Sequence, residues 1–271
     1  MKKRILSAVV LVPVLLVVLY ALPKIVAVIL VSLLSAIAAY ELLNNTGFVK
    51  HSRLLIYSMV FAALVPVWGH YGMSGAFATL GIVVFVGLLF MEMMLSQMKL
   101  RFEKFAFCIV AGLLIPYLLG SITRILSPEG GRYVVLIPFV VAFLSDSGAY
   151  FIGCRFGKHK LAPVISPKKS VEGMVGGVVT AILGMLLYCL ILQLVFKCRV
   201  NYGFAFVYGI VGSFAGVFGD LCFSVIKRQT GIKDYGNLIP GHGGVLDRFD
   251  SVLIVGPLME ALLIILPLVV K

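Results

Sequence analysis

The chain has 271 residues, 61% of them hydrophobic and only 13% charged, with a mean hydropathy of +1.11 and a formal net charge of +12. A soluble domain carries about 25% charged residues, so that class is excluded. The apolar runs are continuous rather than alternating, which excludes a β-barrel and leaves an all-α, polytopic helical membrane protein.

Nine apolar segments follow one another: about 5–22, 25–43, 54–69, 74–95, 105–123, 133–153, 174–196, 203–226 and 251–270. The leader Met1-Lys2-Lys3-Arg4 is like a signal peptide, but no small-x-small cleavage site follows it. It therefore reads as the start of a first transmembrane helix. About nine transmembrane helices are expected in a single integral membrane domain over 1–271, with 1–140 as helical scaffold and 141–251 as catalytic helices and loops. Cys108, Cys154, Cys189, Cys198 and Cys222 are scattered, with no C-x-x-C pair. They read as small buried hydrophobes, with neither a disulfide framework nor a zinc site.

Nine spans put the termini on opposite sides. The side of the N-terminus then carries 17 of the 23 Lys and Arg residues. By the positive-inside rule the N-terminus is cytoplasmic, and the two long polar connections, roughly 154–173 and 227–250, face the cytoplasm. The same bias explains the net charge without nucleic acid, through basic loops and anionic lipid.

Polar chemistry is concentrated late in the chain. The first Asp is Asp146, expected near the cytoplasmic end of the sixth span, and four of the five Asp residues fall between Asp220 and Asp250. An ionised Asp in mid-span costs about 2.5–3.5 kcal/mol, so Asp220 needs a cation, a basic partner or water. Asp220, Ser224 and Lys227 share one helical face, and Gly212 and Gly216 keep that face small further up. An ordinary Asp–Lys pair on a packed helix is the structural alternative. The next loop carries Lys233, Asp234, His242, Gly243, Gly244, Asp247, Arg248 and Asp250. Gly241-His242-Gly243-Gly244 lets the backbone approach a phosphate closely. Asp247 and Asp250 lie three apart where the ninth helix begins, near a helix N-terminus that tolerates negative charge. A plain Asp N-cap accounts for one of them. His242 alone is either a general acid–base or a hydrogen-bonded structural residue. Segment 153–173 sets Arg155, Lys158, His159, Lys160, Lys168 and Lys169 against Glu172 alone. It reads as a solvated positive loop or as a seat for an anionic headgroup. Carboxylates without thiolates or a His pair suit a hard cation such as Mg²⁺, and the bases suit phosphate oxygens. Together they describe phosphoryl or nucleotidyl transfer.

The run SVIKRQTGIKDYGNLIPGHGGVLDRFDS, 224–251, resembles the signature of the phosphatidate cytidylyltransferase (CDP-diglyceride synthetase) family. The pattern Ser-x-x-Lys-Arg, four residues, Lys-Asp, then His-Gly-Gly-x-x-Asp-Arg-x-Asp is met at every fixed position. SDSGAYFIGCRFGKHKLAPVISPKKSVEGMVGG, 145–177, is similar to a second region of that family. It departs at Ser147 and Ser170, where Thr is common, and at Cys154, where a basic residue often stands. The resemblance covers about 145–251, and the first 140 residues match only as generic membrane helices.

The resemblance implies that CTP and phosphatidic acid give CDP-diacylglycerol and pyrophosphate with Mg²⁺, compatible with a second, monovalent cation. It implies metal ligation by Asp220 and Asp247, with Asp250 and Asp146 as further candidates, and a catalytic part for Asp220, Asp247, Lys227 and His242. Ser224, Lys227, Arg228, Lys233 and Arg248 would hold substrate phosphates, Gly243 and Gly244 would let the loop close on the triphosphate, and Lys168, Lys169 and Ser170 would bind nucleotide or lipid phosphate. The expected location is the inner cell membrane, with a cytoplasmic active site. Expected partners are CTP, phosphatidic acid, the bilayer and, as an open alternative, a second copy in a homodimer. Nucleic acid is not expected. Three rivals fit less well. A CTP-dependent lipid kinase would not need the full His-Gly-Gly-x-x-Asp-Arg-x-Asp run. A CDP-alcohol phosphotransferase needs an Asp-Gly-x-x-Ala-Arg segment not found in this chain. An ion-coupled transporter would show repeated halves and midplane charges.

Overall fold

The computed structural model describes residues 13–72, 75–97, 99–238 and 243–270. The basic leader, the start of the first apolar segment and His242 lie outside the described residues. Among the described residues seven helices are long and apolar enough to cross a membrane: α1 Lys24–Asn45, α2 Ser52–Tyr71, α3 Gly75–Leu95, α4 Phe102–Leu126, α5 Gly131–Phe156, α6 Val171–Phe196 and α7 Tyr202–Gln229. They correspond to the second through eighth apolar segments. The ninth forms α8, Leu246–Ile265, which carries Asp247, Arg248, Asp250 and Glu260. The protein is all-α and polytopic, and its strands are two-residue to five-residue pieces.

The chain divides into two compact units: Met1–Arg132 with Gln229–Phe249, and Tyr133–Arg228 with Asp250–Lys271. In the first unit α1 and α2 pack along each other. α1 buries a stripe of small residues, including Ala27, Ser35, Ala38 and Ala39, and leaves Ile25, Ile29 and Leu33 exposed. That is the membrane pattern, small residues where helices approach and bulk where lipid lies. Among the described residues π-helical turns occur at Val17–Ala21, before α1, at Glu41–Asn45, at the end of α1, and at Val110–Leu114, inside α4. A π turn re-aims the side chains that follow it and occurs often at functional sites. At the other end of this unit Lys24 Nζ donates to the carbonyls of Ser127 (2.8 Å) and Pro128 (3.1 Å). Arg132 donates to those of Tyr20 and Leu22, so basic side chains satisfy orphan carbonyls.

In the second unit α5 and α6 lie in close contact. A Cβ at Gly148 or Gly184 would collide with Thr180 or Leu144, so the backbones approach where side chains are missing. α5 runs to Phe156 and stops where Gly157 turns extended. Asp146 therefore stands nearer the middle of α5 than the cytoplasmic end expected from the sequence, because Gly153 alone does not break the helix. The basic segment after α5 is a hairpin, not a loop throughout. β1 (Lys160–Ala162) pairs antiparallel with β2 (Ser166–Ser170), with an irregularity between Lys160 and Ala162. Ser170 then caps α6, its hydroxyl accepting from Gly173 N at 3.1 Å. A second small pair joins β3 (Arg199–Val200) to β4 (Val269–Val270).

Candidate functional site

The second unit gathers an acid–base cluster from three helices and the hairpin. Asp220 is half-buried on α7. Its Oδ1 accepts from Ser224 Oγ, one turn on, at 3.1 Å. Its Oδ2 lies 2.7 Å from Lys169 Nζ. A cation beside Asp220 thus comes from the hairpin. In β2 Lys168 is exposed while Lys169 is turned inward. Lys169 Nζ is shielded from solvent, sits off a hydrogen bond's direction to Asp220, and makes no hydrogen bond among the described residues. Asp250, 9% exposed, feels the charges of Asp220, Lys227 and Asp146. Ser251 links two of these acids: its N–H donates to Asp250 Oδ1 (2.8 Å) and its hydroxyl to Asp146 Oδ2 (3.1 Å). Arg228, exposed at the end of α7, is tied to the hairpin through Nε to Ile165 O at 3.1 Å. Glu172, the one acid of the basic segment, accepts from the N–H groups of Lys158 and His159 and pairs with His159 Nδ1 at 2.6 Å. It braces the hairpin. Asp146 and the basic segment therefore belong with Asp220 and Asp250, as the sequence suggested.

The first unit holds the glycine-rich limb. Asp247 is buried, and its Oδ2 accepts from Tyr235 N (2.7 Å) and Gly244 N (3.0 Å). It reaches back from inside the first turn of α8 rather than standing as the N-cap, and so closes the loop between 235 and 244. Gly243 has φ +86°, a conformation that L side chains rarely adopt, and an added Cβ would stand 2.8 Å from Asp247 Oδ2. Lys233, Asp234 and Arg248 are exposed in this unit.

Sequence reasoning missed Glu41 and Asn45. Glu41 accepts from Val245 N and Leu246 N, both at 2.9 Å. Asn45 Nδ2 donates to Tyr235 O at 2.6 Å. A signal was there: Glu41 is the only acid among the first 91 residues and ends an apolar run. An ionisable side chain so placed is a functional candidate by default.

Oxygen donors at Asp146, Asp220 and Asp250 suit a hard divalent cation. Among the described residues no three His, Cys, Asp or Glu side chains form a ready ion site. That still fits Mg²⁺, which takes one or two carboxylates, keeps several waters and uses substrate phosphates for the rest.

Residues 2–266 match the model of the cytidylyltransferase family. A phosphatidate cytidylyltransferase of Staphylococcus epidermidis is 43% identical over 172 residues, and one of Staphylococcus saprophyticus is 41% identical over 175. One of Staphylococcus aureus is 38% identical over 172 residues. Each match covers 63% of this chain and 63% of the relative's own length.

Proposed function

As the chain belongs to the cytidylyltransferase family, we propose that it transfers the cytidylyl group of CTP to phosphatidic acid, giving CDP-diacylglycerol and pyrophosphate. A phosphate oxygen of the lipid attacks the α-phosphorus of CTP. The bond from that phosphorus to the β-phosphate oxygen breaks, and pyrophosphate leaves with the electron pair. The nucleophile is already an anion, so no Ser or Cys intermediate is needed.

The observation that carries this reading is Lys169. Its shielded ammonium faces one Asp220 oxygen at 2.7 Å and keeps donors to spare, which further anionic oxygens would fill. Phosphate supplies such oxygens. Lys227 and Arg228 are proposed to hold further phosphates, with Lys168, Ser170 and Ser224 lining the same end of the second unit. In the first unit Lys233, Arg248, Gly243 and Gly244 are proposed to receive the triphosphate. His242 keeps its proposed acid–base part. In the first unit Asp247 keeps its proposed part as a ligand, and in the second Mg²⁺ would be held by Asp220 and Asp250, with Asp146. When bound it neutralises the triphosphate and stabilises the charge that develops during in-line displacement. The chain's own part is to position phosphates with fixed cations, which is where most catalysis of this type resides.

The bias of basic residues supports a cytoplasmic N-terminus, nine spans and a site opening to the cytosol in the inner membrane. A cysteine at 165, labelled only from the outside, would overturn that topology. A homodimer is a separate expectation, tested by light scattering in detergent. The decisive assay is purified protein in detergent with CTP, phosphatidic acid and Mg²⁺, without any ion gradient. CDP-diacylglycerol and pyrophosphate should form in equal amounts. Their absence at every Mg²⁺ concentration would end the reading, and strict dependence on an ion gradient would favour a transporter.

A further inference from the structure

We propose that Glu41, with Asn45, is a positioning residue for nucleotide binding, so that the first described span belongs to the catalytic apparatus and is not only scaffold. This rests on the reading that the glycine-rich loop receives the triphosphate.

The geometry is specific. Glu41 is 3% exposed and opens the π-helical turn Glu41–Asn45. Its two oxygens divide the work, Oε1 taking Val245 N and Oε2 taking Leu246 N, at 2.9 Å each. These are two of the N–H groups that the start of α8 leaves without intrahelical partners. A helix start normally finds its cap in its own sequence, from Ser, Thr, Asp or Asn. Here Val245 stands before the first helical residue and cannot cap, so the carboxylate arrives from about 200 residues earlier. Negative charge at a helix N-terminus is favourable, and charge-assisted hydrogen bonds are the strong ones.

The surroundings are shaped to this carboxylate. A Cβ on Gly244 would collide with both Glu41 oxygens, and a Cβ on Gly236 would stand 2.5 Å from Oε1. Gly236 and Gly244 belong to opposite limbs of the loop, so one side chain reaches both. Four positions after Glu41, Asn45 takes the carbonyl of Tyr235, whose own N–H goes to Asp247 Oδ2. α1 therefore grips the loop at 235 and at 245–246, and Asp247 ties those two limbs together. A shift of Glu41 displaces Asp247 and the glycines at once. Gly244 is the residue whose lack of bulk the signature demands, and here that lack is used to admit Glu41.

The test separates positioning from mere folding. Glu41→Gln keeps the size but turns an NH2 group toward one of the two N–H donors. Loss of one charge-assisted bond in a buried place is expected to raise KM for CTP by about 10- to 100-fold. KM for phosphatidic acid should stay within about twofold, because a change confined to one substrate's seat is not shared by the other. Asn45→Ala should move KM for CTP in the same direction by less. Amide hydrogen exchange of the peptide spanning 243–250 should quicken in Glu41→Gln while other helices keep their protection. Unchanged KM for CTP and unchanged exchange in Glu41→Gln would overturn the proposal, as would an equal rise in both KM values. Exchange is read without turnover. An unmodified protein that makes no CDP-diacylglycerol, with exchange quickened as described, would sink the assigned reaction but leave the bracket standing.

Discussion

The two compact units use carboxylates in opposite ways. In the first, Glu41 and Asp247 spend their oxygens on backbone N–H groups and are buried in doing so. In the second, Asp146 and Asp220 meet side chains, a lysine and two serines, while Asp250 takes one backbone N–H and lies in the fields of the other two acids. Backbone amides are fixed donors, so a carboxylate that satisfies them holds a shape. Side-chain partners rotate and exchange, so a carboxylate among them can change partners when a metal or a phosphate arrives. One unit therefore sets a loop, and the other offers exchangeable charge.

The largest effect should follow from Asp220→Asn. It removes charge where transfer needs it, and turnover should fall on the order of 1,000-fold. The amount of protein in the membrane should not change, because a neutral Asn is cheaper to insert than Asp. Near-normal turnover would move Asp220 from the exchangeable class to the structural one. Asp247→Asn is the matched probe in the first unit. It should also abolish turnover, but with quickened amide exchange at Tyr235 and Gly244, which Asp220→Asn should leave alone.

Next in size come the two lysines of β2. Lys169→Met removes the cation at Asp220 and should lower turnover by about 100-fold. Lys168→Met, on the outward face, should cost only a few-fold through weaker electrostatic attraction of anionic substrate. Equal losses would mean that the inward placement of Lys169 does not set it apart from Lys168.

The helical membrane class was legible because it depends on run length and composition alone. So was the kinship of Asp146, Asp220, Asp250 and the basic segment, because acids stranded in apolar helices must find company. Identity of the company was not legible. Periodicity offered Lys227 to Asp220 as a neighbour on the same helix, but it gave no sign of Lys169, which the structure brings to Asp220 from a hairpin, a pairing set by tertiary approach. The partners of Glu41 were illegible for the same reason: they are backbone groups some 200 residues away, and backbone donors leave no mark in a sequence. The family resemblance implied a metal-ligand role for Asp247. Its commitment to Tyr235 N and Gly244 N depends on how a loop closes, which spacing does not encode.

The smallest effects test how close α7 and α8 lie beside Asp220. Gly212, Gly216 and Asp220 were read as one small face, yet the close approach is not uniform along it. A Cβ at Gly219 would stand 2.7 Å from the Asp250 carbonyl oxygen, and one at Gly212 would press on Val141 and Met259. At Gly216 the nearest atom, Val255 Cγ2, is 3.6 Å away, which is ordinary contact. Backbone does not yield as a flexible side chain does, so Gly219→Ala should cost about 1–3 kcal/mol of stability and lower turnover by shifting Asp250. Gly212→Ala meets side chains that can turn and should cost less. Gly216→Ala should stay within about 0.5 kcal/mol with turnover intact. Thermal melting in detergent beside the product assay ranks the three. A loss at Gly216 equal to that at Gly219 would mean that the whole small face, and not the single step beside Asp250, sets the position of the acids.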